Sequence, residues 1–169
     1  MLGRTLSRAL LAFFLIIIVA VAPMCVWHRH RSVAQIESIS TKFIGAASKF
    51  DLMTVRDCIA DEGRASMPAY YTSVIARKLQ EINRDVKVSV RLKAVDVKMN
   101  IGYAKVIVKR EVTERGIRLG KPVNTRIDDT CTVFCVFDGK RWLVDFDRTL
   151  KDKHSPVANF SLFKEYRIK

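Results

Sequence analysis

Apolar and polar positions follow three different rhythms along this chain. Residues 9–27 (ALLAFFLIIIVAVAPMCVW) have no rhythm and no charge: eleven of the nineteen are Leu, Ile, Phe or Val. Nineteen helical residues span about 28 Å, close to the roughly 30 Å hydrocarbon core of a bilayer. The eleven apolar residues contribute about −5 kcal/mol toward membrane entry on an insertion scale. From Val33 the spacing is helical. Val33, Ile36, Ile39, Phe43, Ala47 and Phe50 recur at three and four, which predicts an amphipathic helix ending at Phe50-Asp51. Asp51 then caps a shorter helix through Leu52, Val55, Cys58 and Ile59, ended by Asp61, Glu62 and Gly63. A third helix opens at Ser66 with Pro68 in its first turn, and turns Tyr71, Val74, Ile75, the stem of Lys78, Leu79 and Ile82 inward. Asn83 to Asp85 stops it.

After Asp85 the period becomes two. Val86, Val88, Val90 and Leu92 alternate with Lys87, Ser89, Arg91 and Lys93. Past Ala94 the apolar phase moves to Val95, Val97 and Met99, and a one-residue slip in a long strand predicts a bulge. A turn at Asn100–Gly102 leads to a second strand, Tyr103–Thr113, with Ala104, Val106, Val108, Arg110 and Val112 on one face. Glu114 to Asn124 holds Gly116, Gly120 and Pro122 and reads as a polar loop. Thr125–Phe137 is the third strand, and Asp138-Gly139 a two-residue hairpin turn. Lys140–Phe146 is the fourth strand, with Trp142, Val144 and Phe146 on one side. The whole predicts an α+β chain: an N-terminal transmembrane helix, then three helices packed on a curved four-stranded antiparallel sheet. The divisions are a tail (1–8), the membrane helix (9–27), a joint (28–32), a cone-like domain (33–148) and a basic-aromatic tail (149–169).

Three stretches carry a resemblance: Phe43 to Leu52, the long strand pair with its bulge, and Phe137 to Asp145 (FDGKRWLVD). They are similar to the nuclear transport factor two-like superfamily of cone-shaped α+β domains. The likeness covers about Val33 to Asp147. With a membrane helix in front, the chain resembles the single-pass inner-membrane scaffold subunits of type IV secretion and conjugation machines. That resemblance implies a cone that oligomerises and contacts other subunits, and no catalysis. A superfold of this kind hosts enzymes, binding modules and scaffolds alike, so the alternative is a stand-alone anchored protein that binds a lipid or a peptide, and behind it a cone-pocket enzyme.

Charge adds a partner class. The chain carries +13, and residues 32–169 hold 26 basic against 17 acidic side chains. Such a surface attracts membrane lipids and acidic partners; nucleic acid is not expected, because no module signature accompanies the charge. The two arginines before the apolar run, Arg4 and Arg8, suit an N-in anchor at the bacterial inner membrane with a periplasmic domain. The rival is a cleaved signal peptide with Ala20 and Ala22 at its cut, disfavoured by Pro23. Cys25 suggests lipid attachment, although Met24 is large for the residue before such a site.

Candidate chemistry is sparse. A cone-mouth enzyme needs a carboxylate or His base facing an acidic donor in an apolar pocket, and Tyr70, Tyr71, Asp145 and Asp147 are the pieces at hand. Strand parity turns Asp145 and Asp147 away from the face of Trp142. Cys25, His28 and His30 lack a fourth metal ligand, and Cys131, Cys135 and Asp129 share a face but spread over about 20 Å. Asp128 points the other way. Hence no catalytic, cofactor or metal residue is assigned. Cys58, Cys131 and Cys135 read as small buried side chains. Lys87, Arg91 and Lys93, joined by Lys105, Lys109 and Arg110, form a basic stripe that is either a solvated face or a partner surface. In the tail, Phe160, Leu162, Phe163 and Tyr166 predict docking on the domain or on a neighbour. Asn159-Phe-Ser161 matches a glycosylation acceptor by chance.

Overall fold

The computed structural model describes residues 27–65 and 69–157, with side chains for 27–64 and 74–157. The chain divides into two compact units, Met1–Ala34 and Gln35–Lys169. Of the first unit, residues 27–34 are described; they are helical, with the Arg31 guanidinium 5.5 Å from the Trp27 ring. Among the described residues no helix is long and apolar enough to cross a membrane. The span expected at 9–27 lies outside them except for Trp27.

The second unit opens with α1, residues 35–48. Its buried face is Ile36, Ser40, Phe43, Ile44, Ala46 and Ala47, wider than the stripe read from spacing alone. The helix stops where expected. Phe50 takes a left-handed φ of 60°, the Asp51 amide donates to the Ala46 carbonyl, and the Phe50 amide donates to that of Ala47. This double closure satisfies the last carbonyls of the helix. Asp51 then caps α2 (Leu52–Cys58), accepting the Thr54 amide at 3.1 Å. Asp61-Glu62-Gly63 does not end structure but begins α3 (Asp61–Ala65). Gly63 is buried, and a Cβ there would stand 2.9 Å from Cβ of Phe146. α4 spans Ala69–Ile82; the cap expected at Ser66–Pro68 is outside the described residues. Among its residues with described side chains Ala76 is buried, while Val74, expected inside, is 40% exposed.

The strands form one antiparallel sheet in the order β1-β2-β3-β4. β1 is Asp85–Asn100 and β2 is Tyr103–Arg118, with the predicted bulge between Ala94 and Asp96. Val95 is the extra residue and is exposed; the apolar phase resumes at Val97. The predicted polar loop is not a loop. β2 and β3 (Lys121–Phe137) pair without interruption down to Arg118 opposite Lys121, and Leu119 and Gly120 turn the hairpin with φ of 52° and 76°. Two positive φ values at the centre of a two-residue turn match the twist of the strands it joins. Gly116, read as a loop glycine, lies within the ladder: a Cβ there would come within 1.9 Å of the Asp85 carbonyl oxygen.

The closing hairpin also differs from expectation. Phe137 pairs with Trp142, so the connection has four residues, 138–141. The Asp138 carboxylate accepts the Lys140 and Arg141 amides, each at 2.8 Å, which holds its pKa below the ordinary range. β4 is Trp142–Val144 alone. Asp145 stops it by capping α5 (Phe146–Lys151), accepting the Arg148 amide at 3.1 Å. Phe146 is therefore helical rather than in a strand. The helix count is correspondingly larger than the three expected.

One core joins these elements. Phe43 and Ile44 of α1, Val55 and Cys58 of α2, Val106 and Val108 of β2, Val133 of β3, Val144 of β4 and Phe146 of α5 belong to it. Phe43 and Phe146 meet edge to face, with centroids 6.5 Å apart. Thr149 is fully buried; its hydroxyl accepts the Phe134 amide at 3.0 Å. Val157 is 1% exposed, and the Thr132 amide donates to the His154 carbonyl at 2.9 Å. The chain through Val157 is thus docked on its own sheet. Phe160, Leu162, Phe163, Tyr166 and Asn159 are outside the described residues.

Candidate functional site

Register decides which side chains share a face. On the core-facing side, β2 presents Ala104, Val106, Val108, Arg110, Val112 and Glu114 in sequence, all buried. The first three sit opposite Cys135, Val133 and Cys131 beneath α1 and α2. The next positions are ionic. Arg110 lies opposite Asp129, Val112 opposite Ile127, and Glu114 opposite Thr125. The inner face is thus apolar over one half and charged over the other.

Each charge in the ionic half has a partner. Arg110 grips Asp129 with two hydrogen bonds, Nε to Oδ1 at 2.8 Å and Nη2 to Oδ2, and Nη1 donates to the Pro156 carbonyl at 3.4 Å. Its side chain is 10% exposed and that of Asp129 39%. Burial is the largest single influence on the Arg110 pKa and lowers it; the hydrogen bonds to Asp129, together with the electrostatic pull of Cys131 and Asp129, outweigh it and raise the pKa. The same bonds hold the Asp129 carboxyl below its usual range, against the opposing effect of burial. Further along, Arg118 Nη2 lies 3.1 Å from Glu114 Oε2 as an ion pair without hydrogen-bond alignment. Glu114 also accepts the Thr125 hydroxyl at 3.1 Å. Arg118 Nε donates to Asn83 Oδ1 at 2.7 Å, and Asn83 caps the end of α4 through the Leu79 carbonyl at 2.8 Å. A polar row therefore ties α4, β2, β3 and the segment after α5 together. Lys49, Phe50, Leu79, Gln80, Asn83 and Val86 line a shallow cavity of about 320 Å³ beside it.

A carboxylate held charged by a bidentate guanidinium is a weak base at neutral pH, because its proton affinity has been lowered. Asp129 is in that state. Asp145 spends its carboxylate on the α5 cap, and Asp147 sits in the first turn of that helix rather than on a strand. The side chains of Tyr70 and Tyr71 are outside the described residues. His154 is exposed; its amide donates to Asp152 at 2.8 Å.

The metal candidates separate. Cys25 is outside the described residues, and His28 and His30 are exposed in the first unit. Among the described residues no three His, Cys, Asp or Glu side chains cluster as metal ligands. Cys58, Cys131 and Cys135 are free and buried. Desolvation pushes their pKa up to about 11, about 12 and about 11. Cys135 shares a 3.4 Å contact with the Ser40 hydroxyl, and Cys131 leans toward Asp129 at 3.7 Å. These are packed thiols rather than nucleophiles.

The basic stripe survives with one correction. Lys87, Arg91, Lys93, Lys105 and Lys109 lie on the outer face of the sheet, while Arg110 points to the core side. Phe134 lies among them, with Lys105 Nζ 5.7 Å and the Arg148 guanidinium 4.4 Å from its ring. Lys109 approaches Asp128 at 3.6 Å, and Glu111 forms ion pairs with Arg126 at 2.7 Å and, more loosely, with Arg91 at 3.9 Å. The Arg110–Asp129 grip, Glu114 and Arg118 were not singled out from sequence. The signal was present for the first: an arginine occupies an apolar phase position on β2.

The architecture defines the class: an α+β domain with helices on one face of a curved four-stranded antiparallel sheet. No family model and no curated protein matches the chain. Similar solved structures include a conserved protein from Planctomyces limnophilus, 9% identical over 68% of this chain and 91% of that one, with a TM-score of 0.49. A candidate dehydratase of the NTF2-like family from Streptomyces avermitilis is 15% identical over 68% and 92%, TM-score 0.47. A ketosteroid isomerase-like protein from Erwinia carotovora atroseptica is 16% identical over 66% and 88%, TM-score 0.46. The second of these is described as NTF2-like and the third as ketosteroid isomerase-like, and the likeness is one of fold.

Proposed function

We propose that this chain is a non-enzymatic, membrane-anchored assembly subunit of a multiprotein complex in a bacterial inner membrane, of the kind that builds type IV secretion or conjugation machines. Residues 9–27 are the anchor, and the α+β domain is the part that meets lipids, its own copies and other subunits on the periplasmic side. The observation that favours a scaffold over a pocket enzyme is the inner polar row. Its carboxylates are committed to Arg110, Arg118 and Thr125, and the chain after α5 adds Pro156 to the Arg110 cluster. A general base needs a free lone pair facing substrate and a pKa near the working pH. Asp129 has been moved in the opposite direction.

Isolation of the full chain in mild detergent, with cross-linking in intact cells beforehand, tests the reading. Homo-oligomers and a reproducible set of co-purifying membrane proteins are expected. A monomer with no partners overturns it. The competing pocket-enzyme reading predicts that Asp145→Asn or Asp147→Asn abolishes a turnover while leaving the fold intact.

A further inference from the structure

The outer face of the β1–β2 ladder breaks a rule of sheet design. Three basic pairs stand directly opposite each other there: Lys87 with Arg115, Lys93 with Lys109, and Lys98 with Lys105. Like charges in that relation destabilise a sheet. Two of the pairs are relieved from within, since Lys109 reaches Asp128 and Lys98 reaches Asp96, each at 3.6 Å. Among the described residues, Lys87 and Arg115 have no acidic partner, and both are exposed.

The unrelieved pair stands at one end of a groove of about 430 Å³. Ser89 and Thr113, opposite each other in register, put two hydroxyls on its floor, and Arg91 and Glu111 form the far wall. Two residues of strand separate each wall from the floor, about 7 Å. Lysine and arginine stems can therefore fold inward over the hydroxyls. Glu111 does not spoil the site for an anion, because Arg126 already pairs with it at 2.7 Å, while Arg91, 3.9 Å from it and exposed, is left to face the groove. The set offers an ammonium, two guanidinium groups and two hydroxyl donors around one floor. That combination suits a tetrahedral oxyanion with several acceptor oxygens.

We infer that this groove binds a phosphate group, with Lys87 and Arg115 supplying charge, Arg91 closing the opposite side, and Ser89 and Thr113 donating hydrogen bonds. The bound anion relieves the basic pair that has no acidic partner among the described residues. The site does not depend on the anchoring reading, and its failure would leave that reading intact.

Calorimetry on the full chain in neutral detergent micelles tests it, with inorganic phosphate and with dioctanoyl phosphatidic acid as probes and dioctanoyl phosphatidylcholine as the zwitterionic control. Saturable binding of both anionic probes identifies the phosphate group itself as the ligand; binding of phosphatidic acid alone identifies a lipid headgroup, and either supports the site. Lys87→Gln/Arg115→Gln should weaken binding about tenfold or more, and Ser89→Ala/Thr113→Val about threefold, while Lys140→Gln/Lys151→Gln, off the groove, should leave it unchanged. Whichever anionic probe binds should raise the urea midpoint of the wild type and not that of the Lys87/Arg115 variant. No saturable binding of either anionic probe up to about 10 mM, or equal affinity in the folded Lys87/Arg115 variant, overturns the proposal.

Discussion

Asp129→Asn and Arg110→Met remove the two halves of one ion pair, and the structure makes their costs unequal. In Asp129→Asn the charge of Arg110 remains, on a side chain only 10% exposed. It keeps the Pro156 carbonyl at 3.4 Å and gains at most one neutral acceptor. Arginine cannot escape by losing its proton. Breaking a buried pair costs about 3–5 kcal/mol, and the retained contacts bring the expectation to about 3 kcal/mol. In Arg110→Met the remaining charge is Asp129, whose side chain is 39% exposed. Water can replace the lost donors there, and the methionine stem fills the arginine's path. The cost should be about 1.5–2 kcal/mol. Arg110→Met/Asp129→Leu removes both charges and should return to within about 1 kcal/mol of wild type. Urea unfolding of the full chain in neutral detergent, followed by far-ultraviolet circular dichroism, reads these differences. With a slope of about 2 kcal/mol/M, Asp129→Asn should lower the midpoint by about 1.5 M and Arg110→Met by about half that. If Arg110→Met is the more damaging change, or the double variant is no better than the worse single one, the desolvation argument is wrong.

Further expectations follow from the same geometry. Because the folded Asp129 pKa lies below its unfolded value, its contribution is full above about pH 4 and is lost as pH falls through the lowered folded value; acid titration of stability should show this loss in the wild type and not in Arg110→Met/Asp129→Leu. The three buried thiols have folded pKa values raised to about 11 or 12. Their contribution should therefore fade as pH rises above about 8.5, and iodoacetamide at pH 8 should label them only after denaturation. Rapid native labelling of any one of them would contradict the packing. Gly116→Ala should cost about 3 kcal/mol or more because its Cβ meets the Asp85 carbonyl, whereas Gly120→Ala, in open space at φ 76°, should cost only about 1–2 kcal/mol. Thr149→Val strands the Phe134 amide and should cost about 1–3 kcal/mol by the same urea assay.

The parts of this fold legible in the sequence are those where one local cause acts alone. The bulge was visible because a two-residue period cannot slip without an extra residue, although Val95 turned outward instead of starting the new phase. The α2 cap was visible because an aspartate followed three residues later by an amide it can reach needs no tertiary help. The long β2–β3 hairpin was not. Its outer half is polar, and Gly116 and Pro122 mimic loop punctuation while sitting inside the ladder. With the turn misplaced, register was unknowable, so the facing of Arg110 and Asp129 stayed hidden even though each had its own face assigned. β4 was overrun for a related reason. Trp142, Val144 and Phe146 keep period two, yet Asp145 ends the strand by capping α5, and the burial of Thr149 shows the helical phase that follows. The outer basic residues were legible as a stripe, but their pairing into opposed like charges needed the ladder.

The Ser40–Cys135 contact joins residues 95 positions apart, and that distance has a consequence for biogenesis. When α1 emerges from the ribosome, Ile36, Phe43 and Ile44 have no surface to cover them. Their partners on β2 and β3 are made long afterward, and Val157 closes the core later still. Contacts of such long sequence separation make folding slow, because loop closure comes before the reward. The nascent chain therefore carries an uncovered apolar helix until β2 and β3 have been made. Such an intermediate is prone to aggregate, so co-expression of a chaperone should raise the yield of the folded domain.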